Sequence, residues 1–508
     1  MSKAFSELKL DRSVIDTRSY DDGGRMTSAV LGNGITETRA YRTDNLLSSI
    51  SFSNTNIGNL GYSWDANKNK TAETIGGVMS GYGFTSAGTA YDDEDRLTGY
   101  QRAATSGAAV LAQSWALTTV GDWSSVTTNG TAVTRTHGPT HELLTSGGQN
   151  VTTDVKGNQT VLPSSLATGG SQLAFTWDYD NKLKSSDIDN NGSADVTYEY
   201  DALGRRVART EGSTAVVYFQ ADQQTIADYP RGGSASTATY RYVFASYIDE
   251  PVVRKTTGTT GTVLYYHRNQ QYSILALTDS SGAVSERYAY SAYGQPTFLN
   301  ASATVQTGSV AGNRYTYTAR EWDATLGLHH FRARWISGLT GRFLTRDPIE
   351  FKGSEWNLYE YCDSTPMLKM DPDGRIAVGG GWVPWWVNPL NWWTPYNCAR
   401  DVKDLFDCVT MRRYWNQYGG ECENDRQAMG DDFQWMLEGD INCPNQLYPI
   451  TPRHSLSHAR LCCMQKKASA AGLDLKKFAN SANACITGMQ LPFDAAWAIL
   501  PISHPVAP

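Results

Sequence analysis

The stretch that decides the fold is Tyr200-Asp201-Ala202-Leu203-Gly204-Arg205-Arg206-Val207. An aromatic residue and a later apolar one flank a short polar turn, which is the layout of a β-hairpin. Asp accepts main-chain hydrogen bonds across such a turn, and Gly supplies the positive φ that it needs. The aromatic and the apolar residue are expected to face the core from two strands, with the Arg or Lys after the turn facing solvent.

The same pattern recurs along the first half of the chain. Tyr20-Asp21 leads to Gly24-Arg25-Met26, and Tyr91-Asp92 leads to Arg96-Leu97. Tyr41 with Asp44-Asn45-Leu46, Trp64-Asp65 with Asn67, and Trp177-Asp178 with Asn181-Lys182-Leu183 are further copies. Asp154 with Gly157-Asn158 keeps the turn without the aromatic. A lone hairpin cannot bury its apolar face, so copies about 20 residues apart must stack into one sheet. Segments between the turns, such as Val216–Phe219 and Tyr240–Phe244, alternate as strands do.

These copies resemble the YD repeats of Rhs-type and teneurin-type proteins. A second block strengthens the resemblance. It runs through Tyr288-Ala-Tyr290-Ser-Ala-Tyr293-Gly294, Arg320-Glu321-Trp322-Asp323, Gly327-Leu328 and Gly341-Arg342-Phe343-Leu344. It then passes Asp347-Pro348 and Asn357-Leu358-Tyr359, and closes on Pro366 and Asp371-Pro372-Asp373-Gly374. In order and spacing it is similar to the repeat-associated core of the Rhs family. His329-His330 and Trp335-Ile336 stand where that family has tyrosines, and Arg375 stands where it has Leu.

The resemblance implies a mainly β protein. A spiralling YD-repeat sheet would form a shell or partial shell over residues 1–260, with the core over 261–374. It implies that the chain's own C-terminal domain lies inside the shell as partner. It also implies self-cleavage just after the Asp-Pro-x-Gly segment, with the family's catalytic Arg and two Asp falling on Arg334, Asp347 and Asp371. The cleavage motif is then Pro366, Pro372, Gly374 and Arg375, with the cut after residue 375. Two neighbouring carboxylates suit that chemistry, because one stays protonated as an acid while the other activates water. A plain structural role is also open, since Asp before Pro commonly forms turns and Arg334 could simply pair with one of them.

Composition changes sharply after Gly374. Residues 1–374 carry 32 Lys+Arg and 39 Asp+Glu, whereas 375–508 carry 12 of each. Seven of the eight Cys and eight of the 15 Trp lie in this tail. A Trp/Pro/Gly-rich linker over 375–397 precedes a small α-helical, Cys-rich domain over 398–508. The linker's five tryptophans could anchor it to the shell wall, or bind carbohydrate or a membrane interface. In an oxidising compartment the seven cysteines suggest about three disulfides. His454 and His458 could share a helix face, but no metal or cofactor motif accompanies them. His454, Asp440 and Cys443 could likewise be set out as a nucleophile group, though nearness in sequence says nothing of geometry.

The net charge of -7 gives no general pull toward nucleic acid. No run of 18 apolar residues exists that could span a membrane as a helix. No secretory leader is visible, yet the family resemblance implies a secreted or cell-surface protein. Two roles fit these observations: a shell that encloses and releases a toxin-like C-terminal effector, or a non-enzymatic interaction scaffold that meets surface glycans or other cell-surface proteins.

Overall fold

The computed structural model describes residues 7–10, 13–102, 111–234, 236–245, 247–257, 261–354 and 356–379. The tryptophan-rich linker beyond residue 379, the seven tail cysteines, His454 and His458, and the expected C-terminal helices lie outside the described residues. The eighth cysteine, Cys362, is a buried free thiol.

The described part is an antiparallel meander. A 14-stranded sheet runs from Glu7–Leu10 to Gln149–Asn150, and a 15-stranded sheet from Thr152–Thr153 to Val305–Gln306. Each strand pairs with its neighbours in sequence, so the repeats stack in chain order. A four-stranded sheet, Glu321–Asp323 to Arg342–Phe343, follows. Helical structure among the described residues is limited to short 3-10 turns.

The turns explain the repeat. In seven of them, the main-chain N–H four residues after the Asp donates to Asp Oδ1 at 2.8–3.0 Å. The Asp N–H donates in return to the carbonyl of that same residue. The residue between them takes positive φ, as in Gly24, Lys68, Asp95 and Gly204. A pairing irregularity falls at the residue before the Asp, for example between Ser19 and Tyr20, Ala90 and Tyr91, or Glu199 and Tyr200. This is a turn closed by a left-handed bulge residue, one of the common hairpin connections.

The repeat aromatics stitch one copy to the one before. Tyr41, Tyr91 and Tyr200 donate their hydroxyls to the carbonyls of Met26, Lys70 and Leu183. Trp64 and Trp177 donate Nε1 to the carbonyls of Leu47 and Gln159. These bonds are 2.7–3.0 Å long. An aromatic with a polar tip fills the sheet face and also satisfies a main-chain carbonyl.

Two expectations about the repeat need correction. The Arg after the turn does not face solvent freely. Arg25, Arg96 and Arg205 fold back onto Asp21, Asp92 and Asp201 at 2.7–2.8 Å and are partly buried. In the copy at Asp201, the buried position after the turn is Arg206, and Val207 is half-exposed. Arg206 pairs with Glu321 and lies over the rings of Tyr198, Tyr218 and Trp335. A charged group tolerates such burial when its partner is fixed opposite it.

The ribbon winds back on itself. Ile15 and Leu31 pack with Val252, Val253 and Tyr265, while Ile50 and Leu60 pack with Leu275, Ala289 and Leu299. Arg18 reaches Glu250, 232 residues away, and Arg287 donates to the carbonyls of Asn56 and Ile57. Residues of the small sheet fill the apolar faces of both large ones. Phe331 and Phe343 sit with Trp123 and Tyr293, and Trp335 and Leu344 sit with Leu162 and Leu183.

Candidate active site

The small sheet positions the first residue singled out from sequence. Arg334 opens the strand Arg334–Ser337, paired with Leu328–Phe331. It is 3% exposed, and its guanidinium stacks on the Phe343 ring at 3.6 Å. Arg334 Nη2 lies 2.8 Å from Asp347 Oδ2 and 3.2 Å from Asp371 Oδ2. Its Nε donates to the Gly374 carbonyl at 2.5 Å, and its Nη1 to the Leu358 carbonyl at 3.1 Å. Three residues separated by up to 37 positions thus meet at one guanidinium, with both carboxylates buried.

The segment from Asp371 to Arg375 is itself a repeat-type turn. The Arg375 N–H donates to Asp371 Oδ1 at 2.9 Å, and Gly374 has a φ of 72°. The Asp201 turn has the same features, with Arg205 in the place of Arg375 and a φ of 74° at Gly204. The difference lies in the arginine. In the repeat, Arg205 pairs with its own Asp201, whereas here Arg334 from another strand takes that place. Gly374 is required twice over, by its φ and by a Cβ that would lie 2.3 Å from the Phe331 carbonyl.

The Arg375 carbonyl borders a narrow space shared with Asp347. A Cβ placed on Gly353 would lie 2.4 Å from the Arg375 oxygen and 2.5 Å from Asp347 Oδ2. Only a glycine leaves that approach open. Gly353, Leu358 and Asp373 belong to this site and were not singled out from sequence. Nothing in the order of residues marks Gly353 or Leu358, while Asp373 sits inside the Asp-Pro-Asp-Gly motif that draws attention to Asp371.

Burial pushes both acids upward. Asp347 is raised to about 6, with Arg334 opposing, and Asp371 to about 7, with Arg334 opposing and Asp373 adding to the rise. At neutral pH such a pair accommodates one neutral and one ionised carboxyl. The remaining motif residues are close by. The Pro372 carbonyl accepts from Arg332, and the Pro366 carbonyl accepts from Tyr317 and Gln271. His329 and His330, in the family's tyrosine positions, are buried and held neutral, chiefly by burial.

The chain matches no known protein-family description. Among curated proteins it is 26% identical over 278 residues to the tRNA3(Ser)-specific nuclease WapA of Bacillus spizizenii, covering 53% of this chain. The tRNA nuclease WapA of Bacillus subtilis is 25% identical over 285 residues, again covering 53% of this chain. Among solved structures, the crystal structure of TcdB2-TccC3 superposes with a TM-score of 0.58 at 17% identity, over 72% of this chain and 20% of that one. The Tc holotoxin pore of Photorhabdus luminescens gives a TM-score of 0.56 at 17% identity, over 72% of this chain and 19% of that one.

The chain is Rhs-like. Its β-shell fold is similar to that of the toxin-complex structures, and its two WapA relatives are named as tRNA nucleases. The Rhs-like chain spans only 11% of the length of the WapA proteins it matches.

Proposed function

We propose that this Rhs-like chain is a toxin-related shell that encloses its own C-terminal region and cuts itself after Arg375. Residues 1–260 form the repeat shell and 261–374 the core that ends it. Residues 375–397 are the linker, and 398–508 are the effector cargo. The names of the WapA relatives make a nuclease-type cargo one concrete case. The reading places the protein outside the cell or at its surface.

One observation carries the proposal: Arg334 holds Asp347 and Asp371 together beside the Gly374-Arg375 main chain, with the Arg375 carbonyl and Asp347 Oδ2 facing one small space. In the hydrolysis, the ionised carboxylate takes a proton from water as the water oxygen bonds to the Arg375 carbonyl carbon. The neutral carboxyl then protonates the Ile376 nitrogen as the C–N bond breaks. The products are an Arg375 carboxylic acid and an Ile376 amine, the acid then passing its proton to the amine to leave a carboxylate and an ammonium, and the pair has exchanged one proton. Arg334 keeps the two acids adjacent and offsets the charge that remains.

Native size-exclusion chromatography followed by a denaturing gel tests enclosure. Two polypeptides that co-elute natively and separate only on denaturation are expected. A tail that elutes apart from the shell under native conditions contradicts enclosure.

A further inference from the structure

Three consecutive residues of the small sheet take three consecutive carbonyls of the cleavage segment. Arg332 donates Nη1 to the Pro372 carbonyl, the Ala333 N–H donates to the Asp373 carbonyl at 3.1 Å, and Arg334 donates Nε to the Gly374 carbonyl at 2.5 Å. The next carbonyl along the chain is that of Arg375, the one that self-cleavage would attack. The main chain therefore reaches the proposed cut in a fixed register. Arg334 also joins the two acids, and Ala333 uses only its backbone. Arg332 is the member of the three whose side chain bonds to neither acid.

Arg332 is anchored from the shell side. Its Nη2 lies 2.8 Å from Asp249 Oδ1 and its Nη1 3.2 Å from Asp249 Oδ2, and its Nε donates to the Gln223 carbonyl at 3.1 Å. Asp249 is 2% exposed and also takes Arg320 Nη1 at 2.5 Å. A forked Arg–carboxylate pair fixes direction as well as charge. The backbone adds a second sign. Arg332 has a φ of 54°, a left-handed conformation that disfavours a residue with a Cβ. A glycine would relieve that backbone, but it would release the Pro372 carbonyl from Asp249 and Gln223.

We propose that Arg332 is a positioning residue for self-cleavage. Held by Asp249 and Gln223 from turns of the second large sheet, it fixes the Pro372 carbonyl and so aligns the Arg375 carbonyl with Asp347 and Asp371. The inference rests on self-cleavage after Arg375. Without the guanidinium, the segment keeps its bonds to Ala333 and Arg334 but can shift at Pro372.

Cell-free translation of the full chain, pulse-labelled and then stopped, gives the rate at which full-length chain becomes fragments on a denaturing gel. A misplacement on the order of 1 Å is enough for Arg332→Ala to cut roughly a hundredfold more slowly than the parent. The variant should still fold, because Asp249 keeps its pair with Arg320; circular dichroism of the purified chain checks this. Methylguanidinium added after the stop should restore about tenfold of the lost rate, and methylammonium at the same concentration should not. The Arg332 side chain borders a cavity of about 210 Å³ that admits so small a cation. A role in stability alone would not tell the two cations apart. Arg332→Lys keeps a charge beside Asp249 without the fork, so it should cut at an intermediate rate, and it decides the case if Arg332→Ala does not fold. A folded Arg332→Ala or Arg332→Lys chain that cuts as fast as the parent, or a slow Arg332→Ala chain that responds equally to both cations, overturns the positioning role. A parent that never cuts contradicts self-cleavage itself and removes this inference with it.

Discussion

The main-chain N–H of Arg375 donates to Asp371 Oδ1 at 2.9 Å, the same bond that closes seven Asp turns of the two large sheets. The proposed cleavage motif therefore shares the closing bond of the repeat turns. Asp201 and its turn lie at the surface with their own Arg205, whereas Asp371 is 2% exposed and borrows Arg334. Burial of the same turn converts an ordinary cap into an acid whose proton is held near neutral pH.

That shift has a sign. Asp371 is raised from 3.8 to about 7 in the folded chain, so between those values the folded state binds the proton and the unfolded state does not. Its contribution to stability is fully present below about pH 4 and is lost as pH rises through about 7, with a slope of up to roughly 1.4 kcal/mol per pH unit. Urea unfolding at pH 5 and pH 7.5 should show this loss, and Asp371→Asn should reduce it. An unchanged difference between the two pH values in the variant contradicts the burial account.

Gly353→Ala should block cleavage while the fold survives. The added methyl would press on the Arg375 oxygen and on Asp347 Oδ2 from the other side of the space they share. The peptide and the acid must part for it to fit. Intact mass, with circular dichroism as a check on folding, reads the result; a folded Gly353→Ala chain that still cuts shows that this space is not where the carbonyl is attacked.

Arg206→Met should destabilise the shell by about 3 kcal/mol, because it leaves the buried Glu321 with the longer 3.4 Å contacts to Arg314 and to the Thr225 hydroxyl. Adding Glu321→Gln should recover part of the loss. Chemical denaturation of both single variants and the double variant gives the coupling between the two positions. Additive effects would mean that the pair is not energetically joined.

Tyr200→Phe removes one stitch between neighbouring repeats, the 3.0 Å bond to the Leu183 carbonyl. A loss of about 1 kcal/mol is expected. The Leu183 amide carbonyl is then short of a donor, and hydrogen exchange around 183–187 should quicken more than at Leu97, which lies in the other large sheet. Equal exchange at both places counts against the stitching role.

The repeat could be read from sequence because its signals are local. Asp201, Gly204 and Tyr200 fall within five residues, and each does its work inside one turn or toward the next strand. The hairpins and their stacking follow from that. The position of Arg206 did not, since whether a buried slot takes an apolar side chain or an ion pair depends on Glu321, 115 residues away. The winding of the ribbon, which brings Arg18 to Glu250, is likewise set by contacts between distant turns. Arg334, Asp347 and Asp371 were named through the resemblance alone. Their meeting at one guanidinium, and the part of Gly353, became visible only in three dimensions.

The most direct test is the intact mass of the purified full chain beside its Asp347→Asn and Asp371→Asn variants. The account predicts two fragments that meet between Arg375 and Ile376 in the parent, and a single uncut species in each variant. One full-length mass in all three, or cutting that persists in both variants, contradicts self-cleavage by this pair.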